Sequence, residues 1–341
     1  MEVRAAIDAV LMSIRKLKMT FVEIFKNHKE LQKRQDLSTE QIKKVTTEFD
    51  TSPALKQYNA ITVYCGGSLG RGEVGKNSDL DLFILSNKRK SDEYRLDTLR
   101  LLSEIIRINS KLGFPEFSND GQYLQVYSFP DMLTALGSPR DDNENLFTVR
   151  MLLILESKSV FNDTLYSQYI KDTLGHYFRD SRGRASFRPL FLLNDLLRYW
   201  RTVCLNYELI RDDPKKPWRK KNINLKFSRM LTVFGTVLPI IAKPTTEIEF
   251  LIDLVKCPPM ERLARGLDIL GDSTLEAEFR LFLSHYEKFL ATKENMHKTP
   301  PISDAELDRI MREPATAFSG FLLKCLTHDN INQDFVKYLI L

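Results

Sequence analysis

The chain is poor in residues that would tie a fold together by covalent or metal cross-links. Of its 341 residues only four are cysteines. Cys65, Cys204, Cys257 and Cys325 are widely separated in mainly apolar surroundings, a pattern of neither a disulfide framework nor a zinc cluster. No uninterrupted apolar run reaches the ~20 residues that a membrane helix requires. The apolar patch near the amino terminus is followed by Lys16 and Lys18 without a secretory cleavage pattern. The expected compartment is the cytoplasm, with no membrane partner. Neither sign of charge dominates: the formal net charge is +5 and the pI about 8.8, which accommodates phosphate-rich substrates without requiring nucleic acid. Gly75-Lys76 is followed by Asn77, so there is no P-loop. What remains, 43% hydrophobic and 28% charged residues, suits a globular chain of one large or two modest domains.

The chemistry concentrates in Ile61 to Leu85, ITVYCGGSLGRGEVGKNSDLDLFIL. Two apolar runs flank a glycine-rich turn, and the second carries Asp79 and Asp81. On a strand, aspartates separated by one residue point to the same face with Cα atoms roughly 6.6 Å apart, so they can converge on one cation or a cation pair. Leu80 and Leu82 then face the opposite way, into a core. Carboxylates on an otherwise buried strand are costly without a metal or a basic partner. Mg²⁺ (or Mn²⁺) bridged between carboxylates and phosphate oxygens meets that need. Gly66 and Gly67 leave backbone amides uncovered, and Ser68 adds a hydroxyl, so this turn can hold a phosphate. The plainer alternative is a tight turn capped by Ser68 and a strand whose aspartates meet solvent.

Gly67-Ser68 followed by Asp79-Leu80-Asp81 on the next strand resembles the DNA polymerase β-like nucleotidyltransferase superfamily. The resemblance implies an α+β fold: a mixed sheet with flanking helices, followed by a largely α-helical domain. We expect residues 1–135 to hold N-terminal helices and the catalytic core, and residues 136–341 to form the helical nucleotide- and acceptor-binding part. It also implies a third acid on a later strand. The best such strand, Tyr123 to Phe129, carries Gln125 instead, leaving Asp120 as the leading candidate with Glu116 behind it. From the helical part the family draws contacts to the triphosphate, for which Lys226, Ser228 and Arg229 are the candidates. Arg198, on the helix expected over Phe187 to Glu208, can pair with phosphates or, at i,i+3 spacing, with Asp195.

Elsewhere the chain reads as helices. Ile7, Val10, Leu11, Ile14 and Leu17 recur at helical spacing. Ser38 and Gln41 stand at capping-box spacing before a helix to about Phe49. Leu96, Leu99, Leu102 and Ile106 predict the apolar face of a helix over about Ser91 to Ser110. The basic loop holding Lys215, Lys216, Arg219, Lys220 and Lys221 is either a solvated loop or a guide for a polynucleotide acceptor.

The expected reaction is transfer of NMP or dNMP from an NTP (ATP among them) or dNTP to a hydroxyl, releasing pyrophosphate. The layout looks most like bacterial cyclic or linear oligonucleotide synthases and their antiviral-defence relatives. It is also similar to nucleotidyltransferase toxins that modify tRNA and to enzymes that nucleotidylate proteins. Such relatives imply an oligonucleotide or tRNA acceptor and an effector or antitoxin protein as partners. A catalytically weak nucleotide-binding module and a nucleic-acid-recruiting scaffold are the remaining alternatives.

Overall fold

The computed structural model describes residues 19–332 and 337, apart from 93, 118–120, 122, 182–186, 210, 212–217 and 297–301, with only the backbone described at 219 and 220. The helical reading of Ile7 to Leu17, the acid Asp120, Lys215 and Lys216 therefore lie outside the described residues, whereas Arg219, Lys220 and Lys221, expected in a loop, belong to a short helix, Trp218–Asn224.

Four strands form one mixed sheet: β1 (Ile61–Cys65), β2 (Leu82–Ser86), β3 (Val126–Ser128) and β4 (Lys158–Phe161), in the order β3-β2-β1-β4. β1 runs antiparallel to both β2 and β4, and β2 runs parallel to β3, with Val63 opposite Ile84 and Ile84 opposite Val126. The β-branched and aromatic run ITVYC suits a strand covered on both faces, and every residue of β1 is buried. The strand alternation sorts the side chains cleanly. Ile61, Val63, Cys65, Leu80, Leu82 and Ile84 enter a core with Val45 and Phe49 of α1 (Lys29–Thr51) and with Leu101, Ile105 and Ile108 of α2 (Arg95–Lys111). Tyr64 and Leu85 enter a second, larger core formed with the helical part. The sheet is thus sandwiched, and its second face looks toward α3 (Leu146–Glu156), α4 (Asp163–Tyr177) and α5 (Leu190–Leu209).

Among the described residues, the remaining helices of eight or more residues are α6 (Met230–Ala242), α7 (Ile248–Lys256), α8 (Pro259–Leu270), α9 (Glu276–Asn295) and α10 (Asp304–Leu326). Gly235 and Gly266 let α6 and α8 close on each other: a Cβ at Gly235 would stand 2.8 Å from the Pro259 carbonyl oxygen, and one at Gly266 2.9 Å from Leu238. The helical stretch 221–242 is long and apolar enough to cross a membrane by length and composition, but 67% of its most apolar window is buried inside the protein. The sheet also takes its fourth strand from residues beyond the boundary expected near 135.

Two helices differ from expectation. Ser38 caps nothing; it lies inside the continuous helix α1, where its Oγ donates to the Arg34 carbonyl and accepts from the Val74 amide. On α2 the buried face is Leu101, Ile105 and Ile108, whereas Leu96, Leu99 and Ile106 are 66%, 53% and 48% exposed. The two apolar stripes lie on opposite sides of the same helix, so periodicity alone favours neither; contact with β1 and β2 selects the second. Leu101→Ala should lower the unfolding free energy by about 2–5 kcal/mol, and Leu99→Ala by no more than about 0.5 kcal/mol. Equal losses in urea titrations would contradict this orientation.

Candidate active site

β1 ends at Cys65, and the chain turns through Gly66 into a single helical turn, Gly67–Gly70. The Gly66 amide donates to the Asp81 carbonyl at 2.9 Å, tying the turn to the entry of β2. Gly67 adopts φ +59°, and a Cβ there would fall 2.0 Å from Asp81 Oδ2. Glycine is required on both counts: the backbone is left-handed and the carboxylate occupies the space of a side chain. Ser68 follows, buried, with its carbonyl accepting from the Glu73 amide at 2.8 Å. Asp79 and Asp81 lie just before β2 rather than within it. Leu80 and Leu82 are buried in the sheet's first core, and Asp81 and Phe83 border a hollow on the opposite face.

That hollow, of about 340 Å³, separates the sheet from α5. Gly67, Asp81 and Phe83 line one wall together with Tyr123, Leu124 and Tyr127. Tyr199, Thr202, Val203, Asn206 and Tyr207, at helical spacing along α5, line the other, and Glu156 and Arg229 sit beside the carboxylate. Burial, and next the negative charge of Asp79, push the Asp81 carboxyl up to about 6, against the pull of Arg229 and Arg71. Glu156, wholly buried, accepts from Arg71 at 2.6 Å and from Arg229 at 2.6 Å. Burial alone would raise its carboxyl, but Arg229 and Arg71 outweigh that and hold it below the usual range. Arg71 also binds Glu73 at 2.9 Å, and Glu73 accepts from the Tyr286 hydroxyl of α9.

Lys293 of α9 completes this electrostatic set. Burial, and then the nearby positive charge of Arg71, hold its ammonium below the ordinary range, while Asp79 and Glu73 pull the other way. Lys293, Glu156 and Arg71 were not singled out from the sequence as site residues. Glu156 did leave a signal, a lone carboxylate closing the apolar run LFTVRMLLILE, since a charge in such a run needs a partner.

The other expected residues divide. Arg229 reaches the hollow; Lys226 and Ser228 do not. Lys226 lines a separate hollow of about 170 Å³ with Asn222, Asp308 and Arg312, and the Ser228 hydroxyl donates to the Asn224 carbonyl within its own helix. The cause is a π-helical turn over Leu225–Arg229, whose wider winding swings Lys226 and Arg229 further apart than an α-helix would. Arg198 is bound to both oxygens of Asp142 at 2.5 Å, stands 3.9 Å from Asp195, and stacks over Phe147 at 4.0 Å. It therefore sits in a charge network whose centre is the buried pair of Arg150 and Asp141, and it does not line the hollow. Gln125 lies just before β3 and is not among the residues lining the hollow, although its side chain meets Tyr127, which is. Glu116 is not among the residues lining the hollow.

Asp79 and Asp81 offer hard oxygen donors whose mutual repulsion a divalent cation would relieve, so this pair fits Mg²⁺ or Mn²⁺. Among the described residues no group of three His, Cys, Asp or Glu side chains is placed to hold an ion alone. Further ligands would have to come from phosphate oxygens, water or a residue outside that set.

A family model described as a nucleotidyltransferase domain matches residues 51–116, the segment that holds the turn and both aspartates. No curated protein and no solved structure matches the chain. A polymerase β-like nucleotidyltransferase domain is therefore present, followed by a largely helical region.

The raised Asp81 carboxyl makes a stability prediction. A carboxyl whose folded pKa lies above its unfolded value favours folding when protonated, and that contribution is lost as pH rises through about 6. In EDTA at pH 7.5, Asp81→Asn should therefore melt higher than wild type, by about 2–4 °C if ~1 kcal/mol is recovered. The gain should shrink toward pH 5. A lower melting temperature at pH 7.5 would show that the charged carboxylate is not strained.

Proposed function

We propose that the nucleotidyltransferase domain in residues 51–116 serves a metal-dependent enzyme that transfers NMP or dNMP from a nucleoside triphosphate to a hydroxyl acceptor. The observation that carries this reading is the convergence of the Gly67 turn, the Asp81 carboxylate and the Arg229 guanidinium on one hollow. Asp79 and Asp81 would hold Mg²⁺ or Mn²⁺, which when bound compensates phosphate charge and favours the alkoxide form of the acceptor.

The chain's own residues do the rest. Arg229 presents positive charge to the triphosphate from the helical side of the hollow, and Lys293, close enough to feel the charges of Glu73 and Asp79, adds to that positive field. The Gly67-Ser68 turn places small groups beside Asp81, so phosphate can approach the backbone closely. The aromatic and aliphatic lining of the hollow encloses the nucleoside and excludes water, which strengthens these electrostatic contacts. The acceptor oxygen bonds to the α-phosphorus as the bond to the pyrophosphate oxygen breaks, and the hydroxyl proton passes to Asp81 or to water. Positioning and charge compensation then supply most of the acceleration, as phosphoryl-type transfer requires.

The favoured product is a cyclic or linear oligonucleotide, supported by a helical part large enough to enclose donor and acceptor against the sheet. Incubation with each labelled NTP and dNTP plus Mg²⁺ or Mn²⁺, with and without bulk tRNA, should yield oligonucleotide products without RNA. Label appearing only on tRNA, or only on protein, would redirect the acceptor assignment. Asp79→Asn/Asp81→Asn should lower turnover by at least ~10³-fold, and Lys293→Ala should raise KM about tenfold. Undiminished turnover in the double variant would refute the reading.

A further inference from the structure

We propose that Glu156 is a positioning residue that sets the Arg229 guanidinium over the catalytic carboxylates and fixes its distance from the Gly67-Ser68 turn. The inference rests on the reading of the hollow as a triphosphate site.

Glu156 touches the turn in two ways. Its main-chain carbonyl occupies the place where a Cβ on Gly70 would come within 1.8 Å, so the turn packs directly on the end of α3. Its Oε2 accepts from Nη1 of Arg71, the residue that closes the turn. The second oxygen, Oε1, accepts from Nη1 of Arg229 at the end of the π-helical turn. One buried carboxylate therefore links the phosphate-binding turn of the sheet domain to the cation of the helical part.

The two guanidiniums do not depend on Glu156 equally. Arg71 keeps a second carboxylate, Glu73, itself held by Tyr286. Arg229 makes no second ion pair among the described residues; beyond Glu156 it feels the more distant charge of Asp81. Removing the charge of Glu156 should thus leave the turn anchored while Arg229 loses its anchor and is repelled by Arg71. A residue that only braced the fold would affect both sides alike. An acid at this position also gains nothing from its helix, because the C-terminal end of α3 disfavours negative charge. Its siting is explained by the pair of cations it holds.

The test measures binding of inorganic tripolyphosphate with Mg²⁺ by calorimetry to the full chain. Glu156→Gln should weaken binding about tenfold or more, whereas Tyr286→Phe, which cuts the far end of the same network, should leave it within about threefold. If wild type binds and Glu156→Gln binds equally well, the inference fails and the functional reading stands. If Glu156→Gln and Tyr286→Phe weaken binding equally, Glu156 is only a brace. If wild type binds no tripolyphosphate, the functional reading fails and the inference with it. Should Glu156→Gln not fold, Glu156→Asp keeps the charge but shortens its reach; weakened binding is again expected, and wild-type affinity would overturn the proposal.

Discussion

A full negative charge inside the protein, shared by two guanidiniums from different parts of the chain, is the constraint on which the site depends. The Glu156 carboxylate has almost no contact with water, and Arg71 and Arg229 each supply it one short hydrogen bond. Burying any of these ions alone would be strongly unfavourable, and together they are tolerable only while all partners stay in place. The geometry is for that reason narrow. Arg71 fixes the turn after Gly67, Arg229 fixes the start of α6, and Tyr286 ties α9 to the same chain of contacts through Glu73. Three segments far apart in sequence are held around one hollow by a few charge-assisted bonds.

The carboxylate pair sits on the other side of this balance. Asp81 is pressed against the turn where Gly67 leaves no side chain, and its neighbours include Asp79 and Glu156 as well as two cations. Burial and the charge of Asp79 disfavour the ionised Asp81 carboxylate, a cost that a cation with its phosphate oxygens would relieve. The strain lies where the chemistry is expected, whereas the charge network of Arg150, Asp141 and Asp195, buried beneath α5, is fully paired and points to scaffolding.

The motif segment was the most legible part of the chain. A nucleotidyltransferase domain model matches residues 51–116, the segment in which the spacing of Gly67, Ser68, Asp79 and Asp81 had suggested that family. The flanking strands were readable for the same local reason, since Leu80 and Leu82 alternate with the aspartates. Helix faces were less so. The helix α2 carries apolar stripes on opposite sides, and Ser38 carries a capping signal inside a longer helix whose side-chain bond to Val74 comes from another segment. Lys226, expected with Arg229 from the family resemblance, is turned away from it by the wider winding of the π-helical turn, and Ser228 spends its hydroxyl on the Asn224 carbonyl.

Local sequence therefore determined the strand, turn and carboxylate pattern, because side-chain alternation and glycine's backbone freedom act over a few residues. The tertiary structure decided which cations meet those carboxylates. Arg71, Glu156, Arg229 and Lys293 are spread over more than half the chain, and no periodicity relates them. They come together because buried charges must find partners wherever the folded chain brings them within reach.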